Sequence, residues 1–305
     1  MFLIIDFSGF VIRHGSVTGQ RLDPLGRPIG GALGAVTQVQ RLIDERCPSH
    51  LLIARDDKRS NSFRRGLSPT YKAHRADADD DLTRQFILAY KAVDLLGWPT
   101  LLVPSYEADD IIASAANRYD GQVIIATSDK DLLALVNDQI QLWLARIGGI
   151  QMVGPEDCRQ ILGCAPHQVR DYKSLAGDTS DGITGVTGIG QKTAVQILKT
   201  YGSVAEVYRR IDTGETLSDL KPSTVRKLID GREQARLSWR LAGLVSNLEI
   251  DLNALTLPPR KSWHDIGEQL SELGLAALQI VLDGTPQKTR NTTPDLDVVF
   301  RQLSR

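Results

Sequence analysis

The stretch "QVIIATSDKD", residues 122–131, is a short apolar run followed by two acids. An apolar run of this length with polar residues on both sides is typical of a buried β-strand. Four other runs share this character, at residues 2–6, 50–56, 100–104 and 139–144. The sequence therefore predicts five strands, three of which end on an aspartate.

Segments with helical periodicity lie between these strands, at residues 32–44, 81–96 and 107–119. Strands that alternate with helices form βαβ units, whose strands run parallel within one sheet. We therefore expect an α/β domain over about residues 1–165, with a mostly parallel central sheet and flanking helices.

The remainder of the chain carries mainly helical signals. Segments such as "PHQVRDYKSLAG" and "GQKTAVQILKTYG" predict a helical domain over about residues 166–250. Residues 251–305 form a C-terminal extension with one predicted helix at 263–273. Its polar, turn-rich tail, "GTPQKTRNTTPD", is expected to be partly mobile.

Composition excludes several classes of protein. The 305 residues are 42% hydrophobic and 24% charged, with a net charge of −1, as in an ordinary globular enzyme. No apolar run is long enough to cross a membrane, and no basic stretch marks a signal peptide before the first strand. Three scattered cysteines without a CxxC motif favour the cytoplasm over a disulfide framework or a zinc site.

Acids follow three of the predicted strands, at Asp6, Asp56 and Asp129. The carboxyl ends of parallel strands meet at one edge of a sheet, where ligands bind, so these side chains should converge. Each aspartate alone also fits a helix N-cap or a turn. Asp57 follows Asp56 directly and stays an alternative to it.

The segment "YEADD", residues 106–110, places three more acids in the first turn of a helix, where acids also complement the helix dipole. Two further pairs lie in "SDKD" and "DTSD". The nine acids are Asp6, Asp56, Glu107, Asp109, Asp110, Asp129, Asp131, Asp178 and Asp181. Such a crowd repels itself unless cations neutralise it, and ligands that are all oxygen suit Mg²⁺ or Mn²⁺. A pair of metals roughly 4 Å apart, acting on a phosphodiester, would use this many carboxylates.

A basic segment follows the second strand. Between residues 55 and 75 only two acids, Asp56 and Asp57, accompany a larger set of basic residues. These are Arg55, Lys58, Arg59, Arg64, Arg65, Lys72 and Arg75. A charge run of this kind is commonly a solvated loop, but beside an acidic metal pocket it could also grip a phosphate backbone. Tyr71 could stack on a base there.

The glycine-rich stretch "GVTGIGQKT", residues 185–193, is similar to a nucleotide-binding P-loop without matching its spacing. Gln191 separates Gly190 from Lys192, and a predicted helix, not a strand, precedes the stretch. We therefore expect no nucleotide cofactor. A helix–hairpin–helix whose backbone N–H groups hold DNA phosphate fits better, although a plain helix–helix turn is an alternative. The expected DNA contacts are Gly188, Ile189, Gly190, Gln191, Lys192 and Thr193, together with Arg64, Arg65 and Tyr71 of the basic segment.

Taken together, these motifs resemble the 5′→3′ exonuclease and flap endonuclease family, which includes the 5′-nuclease domain of bacterial DNA polymerase I and stand-alone phage nucleases. The resemblance rests on the strand ending in Asp6 and on "FRRGLSPTYKAHR" (63–75), "YEADD" (106–110), "TSDKDL" (127–132), "GDTSDGITGVTGIGQKTA" (177–194) and "ARLSWRLAGL" (235–244). It implies a PIN-like or resolvase-like sheet with a helix–three-turn–helix DNA-binding domain.

The resemblance also implies an activity and its cofactors. The expected activity is a structure-specific 5′ nuclease, both 5′→3′ exonuclease and 5′-flap endonuclease, that acts in DNA replication or repair as a cytoplasmic monomer. One metal would be held mainly by Asp6, Asp56, Glu107 and Asp109 and the other by Asp129, Asp131, Asp178 and Asp181, with Asp110 bridging through water. Lys72 would contact the scissile phosphate with Arg75 nearby, and residues 58–90 would form an arch or clamp. A K⁺ would be held by the carbonyls of Leu175, Ala176, Thr184, Val186 and Ile189.

Three other functions stay open at this point. The chain could be a junction-binding protein with weak catalysis, or a nuclease of the same sheet type directed at RNA. The P-loop spacing argues against the third, an ATPase. The sequence also departs from the family pattern at Arg55, where an apolar residue is usual, and at Thr184, where proline is frequent.

Overall fold

A six-stranded sheet is the central element of a computed structural model that describes residues 1–18, 21–146 and 149–283. The tail after residue 283, for which we expected partial mobility, lies outside the described residues. The strands are β1 (Phe2–Asp6), β2 (His50–Ala54), β3 (Thr100–Leu101), β4 (Val123–Thr127), β5 (Ile140–Arg146) and β6 (Gly149–Val153).

The strand order β3-β2-β1-β4-β5-β6 confirms the prediction of a mostly parallel sheet. Strands β1 to β5 pair in parallel, and β6 returns antiparallel to β5. From β1 the chain adds β2 and β3 on one side of β1. It then adds β4, β5 and β6 on the opposite side of β1. This reversal between β1 and β4 is where open α/β sheets bind their ligands.

The described residues form helices α1 (Phe7–Thr18), α2 (Gly30–Arg46), α3 (Phe63–Leu67), α4 (Asp80–Leu96), α5 (Ala108–Arg118), α6 (Pro155–Leu162), α7 (Val169–Ala176), α8 (Gln191–Tyr201), α9 (Val204–Asp212), α10 (Pro222–Asp230), α11 (Arg232–Ala242), α12 (Trp263–Glu272) and α13 (Gln279–Leu282). The three helices predicted between strands are present as α2, α4 and α5. Helix α12 confirms the predicted helix at 263–273.

The chain divides into two compact units, and the first consists of Met1–Gly9, His50–Asp77 and Pro99–Thr256. One continuous apolar core joins its sheet to its helices, from Phe2 of β1 through Ile111 of α5 to Ile197 of α8. The sheet edge with the acids, the basic segment up to residue 77 and the glycine-rich hairpin all belong to this unit. The boundaries near residues 165 and 250 stay predictions.

The second unit consists of Phe10–Ser49, Ala78–Trp98 and Leu257–Arg305. Its helices α2 and α4 pack together, and the buried side chain of Gln85 accepts a hydrogen bond from the backbone N–H of Gly31. Lys261 donates to the carbonyl of Leu95 at 2.7 Å, which ties the C-terminal segment to α4. Across both units, none of the described helices has the length and apolarity needed to cross a membrane.

Candidate active site

The first group of acids lies where β1, β2 and β4 end. Asp6 is the last residue of β1, and Asp56 and Asp129 each follow their strand by two residues. The hydroxyl of Thr127 donates to Asp6 at 2.7 Å, while Ser8 Oγ and the N–H of Ala108 donate to Asp56, each at 2.9 Å. Since β1 lies between β2 and β4, these carboxylates meet at the reversal of strand order.

Asp57 turns away from this group. Its carboxylate accepts hydrogen bonds from the N–H groups of Lys58, at 2.7 Å, and Ser105, at 2.9 Å. Of the two neighbouring acids, the structure therefore places Asp56 beside Asp6 and uses Asp57 to order the following loop.

Asp109, in the first turn of α5, completes the first group. Burial, and then repulsion from Asp129 and Asp6, raises its pKa well above the usual range. Burial also raises the pKa of Asp6 to about 6, and burial with repulsion from Asp131 raises that of Asp129 to about 7. Carboxylates held this close in the interior favour a bound cation, and oxygen ligands favour Mg²⁺ or Mn²⁺.

The second group consists of Asp131, Asp178 and Asp181, each of which offers one oxygen within 4.8 Å of the others. Asp178 and Asp181 lie in the turn after α7, which is closed by paired backbone hydrogen bonds between Asp178 and Ile183. Lys173 reaches this group from α7 and forms ion pairs with Asp131 and with Asp178, the latter at 2.7 Å. Burial raises the pKa of Asp181. At Asp178 burial also acts to raise the pKa, but the ion pair with Lys173 and the hydrogen bonds from Ser180 together outweigh burial and lower it.

Asp110 has a different role from the one we expected. Its side chain is fully buried, and the two terminal nitrogens of Arg64 bind its two oxygens, each at 2.7 Å. The N–H of Val245 also donates to it at 2.8 Å. The carboxylate is thus saturated by protein groups, which corrects its assignment as a water-bridged metal ligand.

Arg64 is correspondingly unavailable to DNA. Only 2% of the residue is exposed, and its guanidinium also donates to the carbonyls of Leu241 and Gly243, at 3.0 and 2.7 Å. It therefore links α3 and α5 to the end of α11. Its assignment as a DNA contact is corrected to a structural one.

Glu107 is held by three donors from the basic segment. Lys72 Nζ lies 2.9 Å from one oxygen and the hydroxyl of Tyr71 lies 3.1 Å from the same oxygen, while Ser62 donates to the other at 3.1 Å. Burial would raise the pKa of Glu107, but Lys72 and Arg64 outweigh it and lower the value. Tyr71 is 2% exposed, so its ring is not placed to stack on a base, contrary to our expectation.

The basic segment is docked on the second group of acids. Arg75 forms an ion pair with Asp181 at 2.6 Å and donates to the carbonyl of Ser180 at 3.0 Å. The N–H of Lys72 donates to the carbonyl of Asp181 at 2.9 Å. Arg65 is half-buried beside the carbonyl of Pro69.

The glycine-rich hairpin connects α7 to α8, as predicted. Gly188, Gly190, Gln191 and Lys192 are exposed and Thr193 is half-buried, whereas the side chain of Ile189 is buried and leaves only its backbone for DNA. The five carbonyls proposed for K⁺ belong to Leu175 and Ala176 at the end of α7 and to Thr184, Val186 and Ile189 of the hairpin. Those of Leu175 and Val186 also accept hydrogen bonds from the N–H groups of Val186 and Ile189, at 2.8 and 2.9 Å.

Sequence reasoning missed two lysines near these sites. Lys173 lies on α7 five residues before Asp178, and Lys227 of α10 donates to the carbonyl of Gly188 at 3.1 Å. A lysine near the end of a helix that leads into an acidic turn was a signal for the first. Lys227 is distant in sequence from the hairpin, so no local pattern predicts the second.

Comparisons with known proteins agree on the family. The family model described as the 5′-3′ exonuclease N-terminal resolvase-like domain matches residues 1–163, and that of the 5′-3′ exonuclease C-terminal SAM fold matches residues 164–264. The thermostable DNA polymerase I of Thermus thermophilus is 33% identical over 86% of this chain, and DNA polymerase I of Deinococcus radiodurans is 34% identical over 90%. The chain covers 32% and 29% of their lengths, about a third of each.

Solved structures show the same fold. The T5 D15 protein, co-crystallised with metal ions, matches with a TM-score of 0.65 at 19% identity, over 92% of this chain and 99% of that one. The catalytic core of Rad2 in complex with DNA substrate matches with a TM-score of 0.59 at 13% identity, over 92% and 91%. These matches confirm a PIN-like, resolvase-like sheet with a helical C-terminal region, and the two family models establish that the chain belongs to the 5′-3′ exonuclease family.

Proposed function

We propose that this protein is a structure-specific 5′ nuclease, which hydrolyses DNA phosphodiesters as a 5′→3′ exonuclease and a 5′-flap endonuclease. The observation that carries the proposal is the proximity of two acidic groups, with Asp129 of the first beside Asp131 of the second. The first group, at the sheet edge, is Asp6, Asp56, Asp109 and Asp129, and the second is Asp131, Asp178 and Asp181. Two divalent ions, Mg²⁺ or Mn²⁺, fit this arrangement, because buried carboxylates that raise one another's pKa bind cations well.

In this proposal the acids share two metal sites. Asp6, Asp56 and Asp109, with Glu107 nearby, hold one ion, and Asp129, Asp131, Asp178 and Asp181 hold the other. Metals bound there supply an activated water and stabilise the leaving oxygen. Lys72, with 13% of its side chain exposed, stands beside Glu107 to offset charge that develops on the scissile phosphate.

DNA is held by two parts of the chain. The backbone N–H groups of 185–193 and the N-terminus of α8 bind a phosphate of the duplex without reading its sequence. The carbonyls of Leu175, Ala176, Thr184, Val186 and Ile189 would hold a K⁺ that stiffens the hairpin, and residues 58–90 would guide the 5′ strand. The protein works as a cytoplasmic monomer without a nucleotide cofactor, in replication or repair.

Replacing Asp181 with Asn tests the metal assignment. Metals supply several kcal/mol of transition-state stabilisation, so flap cleavage in Mg²⁺ should fall about a thousandfold. DNA binding, measured by fluorescence anisotropy, should be largely retained. The control is Asp120→Asn, which changes an exposed acid and should cleave like the wild type.

Other results would point to other functions. Normal cleavage by Asp181→Asn would exclude the two-metal assignment. Flap binding without cleavage by the wild type would indicate a junction-binding protein, and a preference for 5′-labelled RNA over flap DNA would indicate an RNA-directed nuclease. ATP hydrolysis should be absent.

A further inference from the structure

Lys173 places a buried positive charge against the second acidic group. The residue is 8% exposed, and its ammonium contacts carboxylate oxygens of both Asp131 and Asp178. The same two side chains, with Asp181, present the oxygens that lie within 4.8 Å of one another. The cluster proposed for a metal ion is therefore already partly neutralised by a cation of the protein.

An ammonium and a divalent ion compete for these oxygens. Mg²⁺ binds carboxylate oxygens at about 2.0–2.1 Å and keeps a nearly octahedral shell. Lys173 Nζ contacts one oxygen each of Asp131 and Asp178, so a divalent ion that takes those two oxygens must replace the ammonium on them. At such short range two positive charges also repel each other strongly in a partly buried site.

Arg75 also pairs with this group, through Asp181, but the two cations differ in burial. Arg75 keeps 40% of its side chain exposed, on a segment that loops over the site, whereas Lys173 keeps 10% and is fixed on α7. Entry of a metal therefore requires Lys173 itself to move within the interior.

We propose that Lys173 is a positioning residue that acts as the internal counter-ion of the second metal site, and that a divalent ion binds there only by displacing its ammonium. This inference rests on the second metal site of the proposed function. It predicts that Lys173 weakens metal binding in the absence of DNA, although it holds the ligands in place. The second site then fills at a higher metal concentration than the first.

Metal binding to the DNA-free protein tests this directly. Mn²⁺ is titrated into the full chain by calorimetry, with free Mn²⁺ followed by electron paramagnetic resonance. Lys173→Met removes the charge and keeps an unbranched side chain, and it should lower the dissociation constant of the weaker site about tenfold or more. Lys199→Met, which removes an exposed lysine of α8, should bind Mn²⁺ like the wild type.

Melting temperatures measured with and without Mn²⁺ distinguish this role of Lys173 from a purely structural one. Without metal, Lys173→Met should melt below the wild type, because Asp131 and Asp178 lose their ion pair. Saturating Mn²⁺ should then raise its melting temperature by more than it raises that of the wild type. Lys173→Gln serves as a second neutral variant and should behave likewise.

Several outcomes would overturn the inference. Unchanged or weaker Mn²⁺ binding in the neutral variants would show that Lys173 only supports the site, and failure of both variants to unfold cooperatively in Mn²⁺ would show the same. Flap cleavage by the wild type is measured in parallel. If the wild type fails to cleave while the neutral variants bind Mn²⁺ more tightly, the nuclease proposal fails and the counter-ion role stands.

Discussion

Two neighbouring acids of α5 have different environments, because Arg64 forms its ion pair with Asp110. Asp110 is paired with Arg64 through both oxygens, while Asp109 has a pKa raised by burial and by repulsion from other carboxylates. The sequence shows both as acids in one helical turn and cannot show which one Arg64 reaches, because that contact depends on how α3 packs against α5. The motif was therefore identified from the sequence, while the role of one of its members, Asp110, was not.

Arg64→Met should destabilise the protein strongly. Removing one partner leaves Asp110 charged, buried and unpaired, which costs about 3–5 kcal/mol of unfolding free energy. Urea denaturation measures this cost. The control is the neighbouring Arg65→Met, which should leave stability within about 0.5 kcal/mol and weaken DNA binding instead. Equal stabilities for the two variants would contradict the structural role of Arg64.

His14 should make the fold sensitive to acid. Burial, together with repulsion from Arg13 and Arg41, lowers its pKa from 6.5 to about 4. The unfolded chain thus takes up a proton near pH 6.5 that the folded protein accepts only near pH 4. Stability from this residue is present above pH 6.5 and is lost as the pH falls towards 4, by at most about 3 kcal/mol.

Urea unfolding at pH 7 and pH 5 checks this expectation. His14→Gln should reduce the loss of stability between the two values, whereas His264→Gln, which changes an exposed histidine of α12, should not. A loss of the same size in both variants would assign the acid sensitivity to other groups.

At the level of elements, the order of the strands and the turn after α7 determine where the two acidic groups lie. Apolar runs predicted β1, β2, β4 and β5 well, because buried parallel strands are apolar on both faces. The edge strand β3 is only two residues long, since it pairs on one side and Pro104 follows it. Strand β6 was not predicted, because "GIQMV" is short and mixes polar with apolar residues.

Helices were predicted where their apolar periodicity was regular. Helix α1 was missed because it starts directly after β1 with no turn residue and contains two glycines. Residues 222–242 form two helices, α10 and α11, which are separated at Gly231. A Cβ added at Gly231 would lie 2.7 Å from Cγ1 of Val186 in the hairpin, a tertiary contact that a local pattern does not contain.

The hairpin gives a prediction at this scale. Gly185 has φ +66, and an added Cβ would lie 2.6 Å from the carbonyl oxygen of Leu175, so Gly185→Ala should unfold the hairpin. Gly190 has extended backbone and open space at its Cβ position. Gly190→Ala should therefore keep the fold and weaken DNA binding only, by crowding the phosphate.

Hydrogen exchange and fluorescence anisotropy separate these two effects. Exchange of the α8 amides should rise in Gly185→Ala and stay at the wild-type level in Gly190→Ala. Wild-type protection of α8 in Gly185→Ala would contradict the backbone constraint described above.

At the level of the whole molecule, a net charge of −1 means that the proposed DNA binding would depend on local positive sites. The structure commits Arg64 to Asp110, Lys72 to Glu107 and Arg75 to Asp181. Binding should therefore depend on a smaller set than the sequence suggested, and its members lie far apart in the chain. We propose that this set consists of Lys58, Arg65, Lys192 and Lys227.

Salt dependence measures the size of that set. If each of the four residues neutralises one phosphate, the logarithm of the binding constant should fall with the logarithm of salt concentration at a slope of about −4. Binding is measured with Asp181→Asn to prevent cleavage. Lys192→Ala and Lys227→Ala should each reduce the slope by about one, and a slope unaffected by either would place the DNA elsewhere.

Cleavage of a 5′-labelled flap by the wild-type protein tests the central claim most directly. In Mg²⁺ the account predicts products cut near the flap junction together with short 5′ products, no cleavage when EDTA removes the metal, and recovery when Mg²⁺ is restored. An intact flap in Mg²⁺, or cleavage that persists in EDTA, would contradict it.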